Sequence, residues 1–243
     1  MLKHLLYNSA IFTFTLCFLL ISSCSGYSET PQGIDLQEAY RNAIEDARTA
    51  EPSEISRNLV AITSYNDELI WEGEPGESSI LVATWTSWDG YNSKVGESIT
   101  GTQDIWVTAA PDVRDFRTEN SLSGNELTLR LEQLLGLPPN SGKGWFVEIW
   151  VDADDLFRPS PDPEITDHEA ELDFPKNVNE EHILWFNELQ DNSYGENGYP
   201  WTRLGYTYDW GNPESEVGLS EFVIKSGAVI EVHSVSNTND YCE

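Results

Sequence analysis

The segment WFVEIWV at 145–151 constrains the fold more strongly than any other part of the chain. Side chains alternate between the two faces of a strand. One face of this strand would be wholly apolar, and the other would be apolar except for Glu148. A strand that is apolar on both faces is typical of the middle of a sheet that is covered on both sides. We therefore predict a central strand, with a packed layer on each face of its sheet.

The rest of the chain alternates between helical and strand-like patterns. Apolar residues at helical spacing predict helices over 34–50 and around 127–135, a helix capped by Asn179, and a short helix opened by Pro111. Strand-like runs occupy 58–64, 68–73, 79–88, 104–110 and 220–235. Turn residues between the second and third runs predict a hairpin, and the last run would form two strands joined at 225–227. We therefore predict an α+β fold, in a single compact domain with a mixed, largely antiparallel sheet and about three to four helices.

The start of the chain predicts export and lipidation. A short cationic stretch precedes an apolar run over 10–21, which has 12 residues, whereas a membrane-spanning helix needs about 20. Such a run is typical of a secretory signal peptide. The residues ISSC at 21–24 then resemble the lipobox of bacterial lipoproteins. The alternative is a signal peptide cleaved near Gly26, with Cys24 incidental.

The lipobox resemblance implies how the chain is organised. Residues 1–23 would be the lipoprotein signal peptide, and Cys24 would carry the lipid. Residues 24–33 would be a tether, and 34–243 would be a single globular domain. Ser25, rather than an aspartate, follows the cysteine, which by the same resemblance implies anchoring in the bacterial outer membrane. The domain would then face the periplasm or the exterior.

The chain is strongly acidic, with 42 acidic and 13 basic residues and a net charge of −29. This charge disfavours nucleic acid and anionic membrane surfaces as partners. The charge is compatible with a cation, a basic protein or a neutral ligand, and equally with a saline habitat. The predicted partners are the membrane, through the N-terminal lipid, and a glycan or another envelope protein, through the aromatic residues at 198–211. No motif indicates a cofactor. Once Cys24 is lipidated, Cys242 has no partner for an internal disulfide.

Two glutamates are the candidate catalytic residues, because each would lie on an apolar strand face. Glu148 would share its face with Phe146 and Trp150, and Glu221 would share its face with Val223. A carboxylate in apolar surroundings must be paired, hydrogen-bonded or raised in pKa, and a raised pKa suits general acid or base chemistry. Exposure at a sheet edge is the alternative for both.

The segment EFVIKSGAVIEVHSV at 221–235 resembles the terminal hairpin of ADP-ribosyltransferases. Glu221 matches the catalytic glutamate of that family, and Gly227 and Val232 match its hairpin. The resemblance implies a Ser/Thr-x-Ser strand, for which the best candidate is 84–86. Leu219 departs from the family, in which many members carry Glu or Gln at this position. The family also has an arginine before that strand, for which the candidates are Arg41, Arg48 and Arg57.

The segment GYPWTRLGYTYDWG at 198–211 surrounds one arginine with aromatic residues. Arg203 has two interpretations. It would either be a buried hub, held by aromatic rings and a carboxylate, that pins a long loop to the sheet, or it would offer its donors to an anionic or hydroxylated ligand. In the second interpretation the neighbouring rings would contact that ligand, and the candidate binding residues are Trp201, Arg203, Tyr206, Tyr208 and Trp210.

The acidic stretch at 152–173 raises the question of a metal site. Its register does not fit a calcium-binding EF-hand loop, because Phe157 would occupy the position of the required glycine. The remaining candidate ligands are Asp162, Glu164 and Asp167. Solvated acidic loops are far more common than metal sites, so we predict no metal here.

These patterns favour an envelope-anchored lipoprotein whose acidic domain is a binding or interaction module. The alternative is an extracytoplasmic enzyme that uses a glutamate near Arg203, as an ADP-ribosyltransferase would. The two hypotheses differ in whether Glu221 and Arg203 converge in an open cleft.

The lipid anchor generates a direct prediction. In a bacterial host, Cys24→Ser should move the protein from the membrane fraction to the soluble fraction, because the thiol that carries the acyl chains is lost. Immunoblots of both fractions measure this shift. Cys242→Ser is the matched control and should stay with membranes. Membrane retention of Cys24→Ser would contradict the lipobox interpretation.

Overall fold

The computed structural model describes residues 35–241. The signal peptide, the tether, Cys24 and Cys242 lie outside the described residues. The helices are α1 (Leu36–Ala47), α2 (Ala110–Asn120), α3 (Gly124–Leu134) and α4 (Glu180–Ser193). The strands are β1 (Ile80–Thr86), β2 (Ser98–Thr100), β3 (Ile105–Ala109), β4 (Trp145–Val151), β5 (Leu156–Phe157), β6 (Tyr206–Tyr208), β7 (Val217–Ser220), β8 (Phe222–Ile224) and β9 (Val229–Asn237).

The predicted α+β fold is confirmed. Seven strands form one sheet in the order β2-β9-β4-β1-β3-β8-β5, and β6 pairs with β7 in a small second sheet. Every strand pair between the described residues is antiparallel. β4 pairs with β1 on one side and β9 on the other, so the prediction of a central strand is also confirmed. Asn179 caps α4 by accepting the Glu181 N–H.

Two short connections force the large sheet to curl. Only four residues, 225–228, join β8 to β9, and only four, 101–104, join β2 to β3. Each pair of strands lies four positions apart in the sheet, which would be about 19 Å in a flat sheet. The connections contact each other directly, since Gly227 N–H donates to Gly101 O at 2.8 Å and Gly101 N–H donates to Ala228 O at 2.9 Å. The sheet therefore bends back on itself.

The two faces of the curled sheet are packed differently. One face holds a single apolar cluster that extends across the sheet and includes Ile80, Val82, Val147 and Phe222. The opposite face is divided between two clusters. Trp85 and Phe146 pack with α2 and α3 in one of them, and Trp106 packs near Trp201 and the residues of α1 and α4 in the other. We infer that the continuous cluster fills the concave face and that the helices lie on the convex face.

Three details of the predicted strands are wrong. Residues 220–235 form two strands, but β8 pairs with β3 and β5 whereas β9 pairs with β2 and β4, so the segment is not a hairpin. Residues 58–64 form no strand, because their main chain hydrogen-bonds to loop residues, as Leu59 does to His168 and Ile62 to Ile165. Residues 68–73 also form no strand, and the predicted hairpin before β1 is reduced to one isolated antiparallel bridge between Trp71 and Ile80.

The buried arginine of this fold is Arg158, which is 1% exposed. Its Nη1 donates to Asp167 Oδ1 at 2.9 Å and to Glu169 O at 2.7 Å, and its Nη2 donates to Val60 O at 3.3 Å and Asp167 O at 2.9 Å. The side chain therefore ties the 158–170 loop to the segment before β1. Gly205 has a φ of +72°, and a Cβ there would lie 2.6 Å from Arg158 Cδ, so the arginine stem requires glycine at this position.

No helix among residues 35–241 is long and apolar enough to cross a membrane.

Arg158→Met should lower the free energy of unfolding by about 3 kcal/mol or more, because three buried carbonyls lose their donor while the apolar volume is kept. Urea unfolding followed by tryptophan fluorescence measures the loss. Arg57→Met is the matched control, since Arg57 makes an exposed ion pair with Glu169, and it should cost no more than about 1 kcal/mol. Equal losses in the two variants would show that Arg158 is not a structural hub.

Candidate functional site

A cavity of about 540 Å³ lies on the helical face of the large sheet. Its floor is formed by β1 and β3, at Ala83, Trp85, Trp106 and Thr108. Walls come from both groups of helices. Val113 of α2 and residues 135–137, which follow α3, contribute on one side, and α4 and the 199–201 segment contribute on the other. The cavity therefore occupies the boundary between the two apolar clusters of this face.

Aromatic side chains supply much of the wall, and their own contacts hold them in place. Trp85 stacks on Phe146 with ring centroids 5.5 Å apart, and its Nε1 donates to Thr238 Oγ1. Trp106 meets Trp201 edge-on at 6.4 Å, and Trp88 meets Tyr91 edge-on at 4.6 Å. Rings held this way are preorganised surfaces for a planar or apolar ligand. The aromatic residues of the wall are Trp85, Trp88, Tyr91, Trp106, Phe146, Tyr199, Trp201 and Tyr208.

Two of these aromatic residues are largely exposed to solvent. Trp88 is 56% exposed and Tyr199 is 52% exposed, so both mark the side where the cavity opens. Trp88 lies over the main chain at Gly90, where a Cβ would be 2.0 Å from the indole Cζ2. Glycine at 90 therefore lets the indole fold over the chain.

Glu221 is the buried acid of the wall and is 7% exposed. It lies between β7 and β8, where its N–H donates to Gly205 O at 3.0 Å. Its Oε1 is buried and has no hydrogen-bond partner within the protein. Burial raises the pKa of this carboxyl from 4.5 to about 8. At neutral pH Glu221 is therefore mainly protonated and can donate a hydrogen bond into the cavity.

Lys143 is the cation of the wall. Partial burial lowers the pKa of its ammonium group, and the residue takes part in none of the ion pairs of the described chain. Three other polar side chains of the wall are hydrogen-bonded within the protein. Thr207 donates to Leu134 O, and Ser193 donates to Leu189 O. Asp104 accepts the Trp185 Nε1–H and the Ser226 N–H.

Arg203 does not belong to the cavity wall. Its Nη2 donates to Arg48 O at 2.8 Å and Ala47 O at 3.4 Å, at the carboxyl end of α1, and its guanidinium lies 5.7 Å from the centre of the Tyr194 ring. A cation at this end of a helix satisfies free carbonyls and complements the helix dipole. Arg203 forms no ion pair with Glu221, and the two do not meet in the cavity.

The predicted aromatic binding residues separate into two groups. Trp201 and Tyr208 line the cavity. Tyr206 is buried and donates to Glu54 O, and the Trp210 Nε1–H donates to Leu137 O at 3.0 Å, so both pin the 198–211 segment to its surroundings.

Glu148 is paired inside the protein. Its Oε1 lies 2.8 Å from Arg114 Nη2, and its Oε2 accepts the Ser234 hydroxyl at 2.7 Å. The Tyr241 hydroxyl lies 3.3 Å from Oε1. The carboxylate is 6% exposed and is absent from the cavity wall. This arrangement assigns Glu148 a role in joining β4, α2 and β9.

The three acidic residues weighed as metal ligands are engaged in their own loop. Asp162 accepts the Glu164 N–H, Glu164 accepts the Thr166 N–H, and Asp167 pairs with Arg158. Across residues 35–241 no cluster of three or more acidic, histidine or cysteine side chains is placed to hold a metal ion.

Several cavity residues were missed by the sequence interpretation, chiefly Trp85, Trp88, Trp106, Tyr199 and Lys143. Their sequence signal was weak, because tryptophans in strand-like runs are equally typical of core. No protein-family model, curated protein or solved structure matches this chain.

Glu221 should make folding stability depend on pH. Between pH 4.5 and about 8 the unfolded chain releases the Glu221 proton while the folded chain keeps it. Its contribution to the free energy of unfolding should therefore fall as pH rises, by up to about 1.4 kcal/mol per pH unit. Urea unfolding of the wild type and Glu221→Gln across this window measures the difference, which should grow in favour of the variant. If the free energies of unfolding of the two proteins change in parallel with pH, Glu221 is not a buried, protonated carboxyl.

Proposed function

We propose that this chain is an envelope-anchored binding module whose cavity takes an uncharged ligand. The observation that carries the proposal is the aromatic cavity with the unpaired Glu221 carboxyl in its wall. A cavity lined by fixed aromatic rings, with few free polar groups, is the usual form of a small-ligand or segment-binding site. The protonated carboxyl would meet a hydrogen-bond acceptor of the ligand, because an orphaned buried polar group is costly.

The charge of the protein supports an uncharged or basic ligand over an anionic one. The net charge is −29, and such a field repels anions approaching the cavity. Within the wall the protonated Glu221 is neutral, and the carboxylate of Asp104 offsets the single cation Lys143. A neutral ligand avoids both the repulsion and the cost of burying an unpaired charge.

Binding is better supported than catalysis. The wall contains no histidine or cysteine, and Asp104, the carboxylate there besides Glu221, is held by two donors of the protein. Lys143, whose pKa burial lowers, is a candidate base or nucleophile of the wall, but it forms no ion pair with Glu221 among the described residues. Arg203, which the enzyme hypothesis places near the glutamate, donates to α1. An enzyme that uses Glu221 and Arg203 together is therefore the less supported alternative.

The lipobox resemblance completes the proposal. A lipid on Cys24 would hold the domain at the outer membrane, and the tether over 24–33 would let the cavity face its ligand in the periplasm or at the exterior.

Aromatic residues at the opening should contribute to binding. We expect that short neutral oligosaccharides or short peptides blocked at both ends will change the tryptophan fluorescence saturably. Tyr199→Ala should weaken binding of the same probe by roughly ten-fold, because the variant lacks the half-exposed ring that contacts the ligand at the opening. Titration of wild type and variant measures the ratio of dissociation constants.

The matched control is Tyr65→Ala, since Tyr65 is 94% exposed and lies outside the cavity wall. This variant should bind as the wild type does. If neither probe class binds saturably, or if Tyr199→Ala and Tyr65→Ala weaken binding equally, the cavity is not a binding site.

A further inference from the structure

The large sheet has a break in its interior, between β1 and β3. These strands pair only at Val82 with Ala109 and at Ala83 with Thr108. β1 continues to Thr86 along β4, and β3 runs from Ile105 along β8. Over 84–86 and 105–107, each strand therefore has a ladder partner on one side only within the described chain. An interior break of this kind leaves two strand edges facing each other.

The two tryptophans at the break account for the separation. Continuing the observed register by two residues would pair Trp85 with Trp106, with both indoles on the same sheet face. Instead, Trp85 turns towards β4 to stack on Phe146, and Trp106 turns towards Trp201. The indoles thus lean away from each other, and space remains between them.

The cavity lies against these open edges. Its wall includes consecutive residues of both strands, at 83–86 and 103–108. Because side chains alternate between faces, an unbroken run in the wall shows that the main chain itself borders the cavity. The Leu81 N–H points away from β4, to Ile70 O at 2.9 Å. By the same alternation, the N–H and C=O of Trp85 point into the gap.

We propose that the cavity binds an extended peptide segment of another protein, which adds as a strand between β1 and β3. This inference rests on the proposed function and names the class of ligand. An open strand edge recognises a peptide through main-chain hydrogen bonds, while adjacent pockets take alternate side chains. The aromatic rings on the helical face provide such pockets. The acidic protein favours a segment of uncharged and basic residues.

The wall suits a peptide better than a sugar. Asp104, Ser193 and Thr207 are already hydrogen-bonded within the protein. The two strand edges present a regular row of main-chain groups, which matches the backbone of a peptide and not the hydroxyls of a sugar ring. The Glu221 carboxyl would donate to a carbonyl of the inserted segment.

A library of short blocked peptides, randomised over uncharged and basic residues, tests the inference on the mature chain. We expect the wild-type protein to enrich a set of peptides from the library, and we expect the Tyr199→Ala variant to enrich the same peptides less. Bound peptide should slow amide hydrogen exchange over 84–86 and 105–107 by at least roughly ten-fold. N-methylation of alternate main-chain nitrogens should weaken peptide binding by at least roughly ten-fold, because it removes the N–H donors that a strand needs and keeps the side chains.

The outcomes separate this inference from the proposed function. If a neutral oligosaccharide binds saturably and no peptide is enriched, the peptide inference is wrong, while the proposal of a binding module is retained. If neither class binds, both proposals fail. Enriched peptides that leave exchange at the two edges unchanged, or that tolerate N-methylation, would overturn strand addition. If the protein without peptide is a dimer in which amide exchange at the same edges is slow, the gap is occupied by a second copy of the chain and the peptide inference is wrong.

Discussion

The short connections 101–104 and 225–228 are the constraint on which the rest of the structure depends. Each joins strands that lie four positions apart, so the sheet must curl until its two sides meet at Gly101 and Gly227. We infer that curling encloses the continuous apolar cluster on the concave face and spreads the convex face. The helices that cover the convex face consequently form two groups. The cavity is the space between those groups, so it follows from the topology rather than from any one loop.

Two buried charged side chains of this frame, Arg158 and Glu148, are paired inside the protein. Arg158 donates to three carbonyls and one carboxylate, and Glu148 is held by Arg114 and Ser234. Glu221 differs from Glu148, because its Oε1 has no partner and burial raises the pKa of the carboxyl to about 8. Glu221 also lines the cavity, so its carboxyl is a group available for a ligand.

The outcome for individual residues shows which inferences the sequence could support. Asn179 and WFVEIWV were placed correctly because capping and side-chain alternation are local properties. The 221–235 segment resembles a hairpin because its two strands are joined by a short link with glycine, and only the sheet order shows that these strands do not pair. The aromatic residues around Arg203 in the sequence favoured it as the buried arginine. The fully buried arginine is instead Arg158, although its proline-rich acidic loop is of a kind that is usually exposed to solvent.

By itself, the sequence determined the α+β class, the central strand, the helices and the two glutamates on apolar faces, because each depends on spacing along a few neighbouring residues. Only the tertiary structure decided which glutamate is paired and which is open, and which aromatic residues form a cavity. Glu148 finds Arg114 and Ser234, and Glu221 finds no donor, through contacts between residues far apart in the chain. Such contacts depend on how the sheet curls, and no local pattern encodes that geometry.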